Sequence, residues 1–188
     1  MNNSNNRRCV LHAALGTGIG MLMPQCVLAQ SDPRNARPQE GDRLVYADGD
    51  QKGKPVAPAS LPLGGPPVTA MPQEVASGTV RDGSRLNQIL LVRLDPTRLQ
   101  GDTTTRAAQG VVAYSAVCTH TGCDGFAWAS DKQAYKCPCH DSEFDPADGA
   151  KVIGGPAPRR LAALPLKIVD GQLIVAGVFT GRVGASSS

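Results

Sequence analysis

GVVAYSAVCTHTGCDGFAWASDKQAYKCPCHDS, residues 110–142, contains an apolar run that ends directly on Cys118, followed by two short boxes rich in cysteine and histidine. The boxes are Cys118-Thr119-His120-Thr121-Gly122-Cys123 and Cys137-Pro138-Cys139-His140-Asp141-Ser142. The chain has six Cys and three His, and all of them except Cys9, His12 and Cys26 lie between 118 and 140. Thiols and imidazoles are the side chains that bind borderline and soft metals, and packing alone rarely gathers six of them in so short a stretch. A C-x-H pair and a C-x-x-H pair supply two thiolates and two imidazoles, a set able to hold zinc tetrahedrally. Cys123 and Cys139 would be surplus in such a plain Cys2His2 site.

Outward from the boxes, the pattern is that of strands. Gly110 to Val117 reads as a buried strand, and so does Gln88 to Leu94 (QILLVRL), a compact apolar run with β-branched members. Leu44-Val45-Tyr46 begins a first strand, and Leu164 to Val169 and Gln172 to Val175 flank Asp170-Gly171, a signal for a two-residue hairpin turn. Residues 52 to 66, with their Pro and Gly, suit an irregular surface segment. Phe126, Trp128 and Tyr135 fall between the boxes and read as local core. With 188 residues, 21 Gly and 15 Pro, the chain fits one loop-rich domain, and an all-β fold is expected.

The N-terminus reads as an export signal. Arg7-Arg8 precede a short apolar run from Ala13 to Met23, and Val27-Leu28-Ala29 offers small residues for cleavage after Ala29. The apolar core is about half the ~20 residues that span a bilayer, although an anchor retained over residues 9–29 is the alternative. The adjacent arginines resemble a twin-arginine signal, followed here by Cys9, Val10, Leu11 and His12. The domain plan is a signal peptide over 1–29, a flexible linker over 30–42, one domain over 43–181 and a flexible tail over 182–188. The formal charge of +3 falls to +1 without Arg7 and Arg8, the only charged residues among the first 29. Neither value is a nucleic-acid footprint.

C-T-H-x-G-C followed by C-P-C-H-x-S resembles the signature of the Rieske iron–sulfur family. The resemblance implies an antiparallel β sandwich or barrel with an inserted cluster-binding subdomain. It implies one [2Fe–2S] cluster per chain, with Cys118 and Cys137 on one iron and His120 and His140 on the other. It also implies a Cys123–Cys139 disulfide, found in the exported branch of the family. Replacing two thiolates by neutral imidazoles lowers the cluster's negative charge and raises its potential into the range of roughly −150 to +300 mV.

The same resemblance assigns the surroundings. Ser142 matches a serine that donates to a bridging sulfide, and Gly154-Gly155-Pro156-Ala157-Pro158 resembles the proline loop that covers the cluster. Phe144 stands where quinol-oxidising members carry a tyrosine donor, Asp141 where they commonly have Gly, and Thr121 where Leu is usual. A lower potential than theirs is expected. The arginine pair, the S-E-F-D string and the ending A-G-V-F-T-G-R-V-G are most similar to the small subunit of arsenite oxidase and its relatives. That implies a periplasmic electron relay between a molybdenum-type catalytic subunit and a cytochrome c or copper protein. A quinol:cytochrome c oxidoreductase subunit, a free-standing carrier and a zinc module are the alternatives.

Overall fold

The structure, a computed structural model, describes residues 32–186. The signal peptide, its arginine pair and the candidate anchor over 9–29 lie outside the described residues.

Among the described residues, ten short strands form two antiparallel sheets. The larger contains β1 (Arg43–Tyr46), β2 (Val68–Gln73), β3 (Ile89–Arg93), β4 (Val111–Ser115), β9 (Leu166–Val169) and β10 (Gln172–Val175), in the order β4-β3-β2-β1-β10-β9. The smaller contains β5 (Ala127–Ala129), β6 (Ala134–Lys136), β7 (Glu143–Asp145) and β8 (Lys151–Gly154), in sequence order. The one α-helix among the described residues, α1 (Thr103–Arg106), is a single turn.

The expected strands are present. Asp170 and Gly171 both adopt positive φ, 49° and 74°, as a tight turn between β9 and β10 requires. The apolar runs of β3 and β4 are continuous because both faces are buried. Leu90, Val92, Val112 and Tyr114 pack into one core with Tyr135 and Phe144 of the small sheet. Ile89, Leu91, Val111 and Ala113 point the other way, into a second core with Leu44, Leu173 and Val175. Alternation along the strand thus serves two cores at once.

The large sheet curls until its ends meet. Ser115 N donates to Ala162 O at 2.8 Å and Leu164 N to Ala113 O at 2.9 Å, so the segment entering β9 pairs with β4. Every residue between these anchor points, including both boxes, belongs to an insertion carried by that closed base.

Two readings of the ends are corrected. The segment expected to be a flexible linker is, from residue 32 onward, bound to the domain. Asp32 caps a 3-10 turn over Pro33–Asn35, Asn87 Nδ2 donates to Ala36 O at 2.8 Å, and Pro38 is buried. Asp42 and Arg81 form a two-point ion pair, 2.7 and 3.0 Å, with both residues 3% exposed. Likewise the segment after Gly181 is not frayed up to residue 186. Val183 is buried with Val117 and Ala162, and Arg159 donates to the carbonyls of Arg182 and Gly184.

Removing one partner of a buried ion pair strands the other charge, at a cost of about 3–5 kcal/mol. Arg81→Met is therefore expected to lower stability by that order, read from a urea titration followed by the fluorescence of the single tryptophan, Trp128.

Candidate metal centre

Box one follows β4 and box two joins β6 to β7, and the two loops fold alike. In box one, Cys118 N donates to Cys123 O at 2.7 Å and Gly122 N to Cys118 O at 3.1 Å. In box two, Cys137 N donates to Ser142 O at 2.8 Å and Asp141 N to Cys137 O at 3.1 Å. Both loops therefore make the same two backbone bonds around their leading cysteine. Both need a left-handed residue four positions on, and Gly122 (φ 82°) and Asp141 (φ 55°) fill that place. Glycine adopts this conformation freely and Asp is among the few others that tolerate it.

This frame places the four sequence-predicted ligand side chains in two layers. Cys118 and Cys137 are free and buried, at 0% and 1% exposure, and near enough that Cys137 helps to hold the Cys118 thiol pKa up. Burial pushes the Cys118 thiol above the usual cysteine range, against the pull of the His120 and Thr121 backbone N–H groups donating toward its sulfur. His120, half-buried, and His140, exposed, stand edge to face with ring centroids 4.6 Å apart and Nδ1 atoms 3.3 Å apart. Two nitrogens bonded to one tetrahedral metal at ~2.0–2.1 Å lie ~3.3–3.4 Å apart, so the imidazoles are already spaced as co-ligands.

Cys123 and Cys139 form a disulfide that ties one box to the other, with Cα atoms 6.6 Å apart. The sulfurs of Cys123, Cys137 and Cys139 converge within 4.8 Å. Two of them are spent on each other, so this trio is no thiolate site.

Ser142 is fully buried, and its Oγ accepts a hydrogen bond from Ala157 N at 3.1 Å, leaving its own O–H available as a donor. The Gly154–Pro158 segment lies against box two. A Cβ on Gly155, at φ 78°, would sit 2.5 Å from Ser142 Cα, so only glycine admits this contact. Pro156 is exposed and Ala157 buried. Phe144 is fully buried, 5.7 Å from the ring of Phe126 and paired across the sheet with Tyr135. Trp128 stacks beside Tyr135 at 5.5 Å, and the aromatics between the boxes are local core as expected.

Three contacts have no local signal in the sequence. Thr119 Oγ1 donates to Arg159 O at 2.5 Å, Arg85 Nη1 donates to Gly122 O at 2.6 Å, and Lys136 Nζ lies 3.0 Å from an Asp141 carboxylate oxygen. The first two tie box one to residues 40 and 37 positions away.

The family model for the Rieske [2Fe-2S] domain matches residues 68–165, just over half of the chain. The chain belongs to that family, and it is a [2Fe–2S] electron-transfer protein. The zinc alternative falls away with that membership. Among curated relatives, it is 39% identical over 98 residues to the cytochrome bc1 complex Rieske iron–sulfur subunit of Streptomyces lividans, covering 51% of this chain and 58% of that one. It is 47% identical over 76 residues to a Haloferax mediterranei protein provisionally named as a respiratory nitrate reductase Rieske subunit, covering 40% and 34%. The chain thus spans less than two thirds of the length of either relative. Among solved structures, the ferredoxin of carbazole 1,9a-dioxygenase from Nocardioides aromaticivorans is similar at 17% identity with a TM-score of 0.43, covering 65% of this chain and 94% of that one. Among the described residues no helix is long and apolar enough to cross a membrane.

A left-handed conformation costs an ordinary L-residue about 1–2 kcal/mol. Asp141→Ala is expected to lower stability by about 1 kcal/mol and Asp141→Gly to leave it unchanged or raise it, measured by the same urea titration.

Proposed function

We propose that Cys118, Cys137, His120 and His140 hold the cluster and that the protein is the electron-relay subunit of an exported, multi-subunit oxidoreductase. One observation carries the assignment. Two free thiols lie buried side by side, and two imidazoles stand at co-ligand spacing nearer solvent, on loops built to one hydrogen-bond pattern.

When bound, the cluster supplies a one-electron couple in the potential range of His-ligated [2Fe–2S] centres. The residues around it set where that range is sampled. The backbone N–H groups of His120 and Thr121 pull the Cys118 thiol pKa down, and the Ser142 hydroxyl has a proton to give. Both favour added negative charge and so raise the potential. Phe144 provides no hydroxyl where a tyrosine donor stands in quinol-oxidising members. The Asp141 carboxylate, expected to lower the potential, has Lys136 beside it, so its charge is largely offset. The missing Phe144 hydroxyl is therefore the larger difference. The imidazole edges, on the accessible side, form the route to a partner.

The Cys123–Cys139 disulfide supports an oxidising compartment, in keeping with export to the periplasm behind Arg7-Arg8. The named relatives are subunits of respiratory complexes, which supports a hetero-oligomer. We assign the catalytic partner to a molybdenum enzyme of the arsenite-oxidase type and the acceptor to a cytochrome c or copper protein. The Streptomyces relative favours a second reading, the Rieske subunit of a quinol:cytochrome c oxidoreductase, against which Phe144 and Thr121 stand. The two part on the tagged native complex: stoichiometric molybdenum without b-type haem supports the first, and b-type haem without molybdenum the second. A rhombic electron-spin signal from the reduced protein, lost in Cys118→Ser and Cys137→Ser, tests the ligands.

A hydrogen bond to a charged group is worth about 1.5–3 kcal/mol, and 59 mV corresponds to about 1.4 kcal/mol for one electron. Because both oxidation states feel part of that bond, Phe144→Tyr is expected to raise the midpoint potential by tens of millivolts and Ser142→Ala to lower it by a similar amount. Protein-film voltammetry checks both, and no rise in Phe144→Tyr overturns the role given to that position.

A further inference from the structure

A groove of about 640 Å³ opens beside box one, and Thr121 and Gly122 form part of its wall. Its floor is apolar, with Leu86, Val117, Phe179 and Val183, and Val178 stands at its edge 72% exposed. Arg37, Arg85 and Arg182, all exposed, line it, and no Asp or Glu does. Arg37 Nη1 donates to Leu86 O at 2.9 Å and Arg85 Nη1 to Gly122 O. Carbonyls satisfy hydrogen bonds without cancelling charge. Among the described residues neither Arg37 nor Arg85 has a carboxylate within ion-pair distance, whereas Arg34, Arg81 and Arg106 each do. The chain beyond residue 29 has a net charge of only +1, so a wall with three arginines and no acid is more positive than the chain as a whole.

We propose that the groove is the docking site for a redox partner with an acidic face, its carboxylates meeting Arg37 and Arg85 and an apolar side chain entering the floor. The proposal rests on the electron-relay reading. Position supports it, because Thr121 follows His120 directly and a protein seated in the groove abuts the loop that carries the exposed edge of the site. Shape supports it too: a concave groove receives a protruding protein loop, whereas a bilayer offers a flat face. Such charge pairing steers encounter and is weakened by salt.

The test mixes the reduced holoprotein with a lysine-rich cytochrome c and, separately, with the same cytochrome after succinylation of its lysines, which reverses its surface charge. At low ionic strength the succinylated form is expected to accept electrons about tenfold faster or more, an advantage that fades as salt approaches about 0.5 M. Arg37→Glu with Arg85→Glu should reverse the order, and Arg37→Lys with Arg85→Lys should keep it. Equal rates for the two cytochromes, faster transfer to the lysine-rich form, or an unchanged order in the glutamate variant would each overturn the docking site. Retention on phosphatidylglycerol vesicles together with equal rates assigns the arginines to a membrane instead. If the glutamate variant does not fold, the salt series of the unaltered protein with both cytochromes still decides. Absence of the rhombic signal, or of transfer to either cytochrome, strikes the electron-relay reading itself, an outcome separate from the others.

Discussion

Each box turns on a pair of backbone hydrogen bonds centred on its first cysteine, and the site depends on that pair being made twice. The bonds bury the Cys118 and Cys137 thiols, turn the loops back and bring the histidines, at different offsets in the two boxes, to face each other. They also demand positive φ at Gly122 and Asp141. The disulfide then joins two loops that are already shaped, and the Gly154–Pro158 segment closes against one of them through Ala157 N and Ser142 Oγ.

The two layers of the site ask for opposite surroundings. The buried thiols sit where burial disfavours negative charge, so a charge placed on them needs local N–H donors or a bound metal as compensation. The imidazoles stand nearer water, where a partner can approach. A two-sided base makes this possible. β3 and β4 present one set of side chains to the closed sheet and the other to the tip, so the site rests on a packed floor of Tyr114, Tyr135 and Phe144.

The boxes, the hairpin at Asp170-Gly171 and the long apolar strands were legible in the sequence because their signals are local: ligand spacing, turn chemistry and runs of β-branched residues. The ends were misread because their order comes from distant partners. Nothing near Asp42 announces Arg81, and nothing near Gly184 announces Arg159. β2 carries Pro72 and β5 to β8 are three or four residues long, too short or too interrupted to show a period, and they are strands because neighbours pair with them. Arg85 lies far from both boxes in sequence, and only the fold sets it against Gly122. For Asp141 the sequence showed only a carboxylate, while the backbone shows a left-handed place that glycine would fill without strain and the fold supplies Lys136 as its counter-charge.

The hydrogen bonds from Ser115 to Ala162 and from Leu164 to Ala113 hold the two ends of the insertion against each other. To the base, then, the whole tip is a single loop whose ends are already closed. The entropic cost of such a loop grows only with the logarithm of its length. That closure entropy changes little when turns at the tip gain or lose residues, provided Tyr135 and Phe144 still cover Leu90, Val92, Val112 and Tyr114, and the inner core of the base, with Leu44, Leu173 and Val175, can form before the tip has acquired its metal. Assembly can thus run from the base outward, with cofactor loading as a late step.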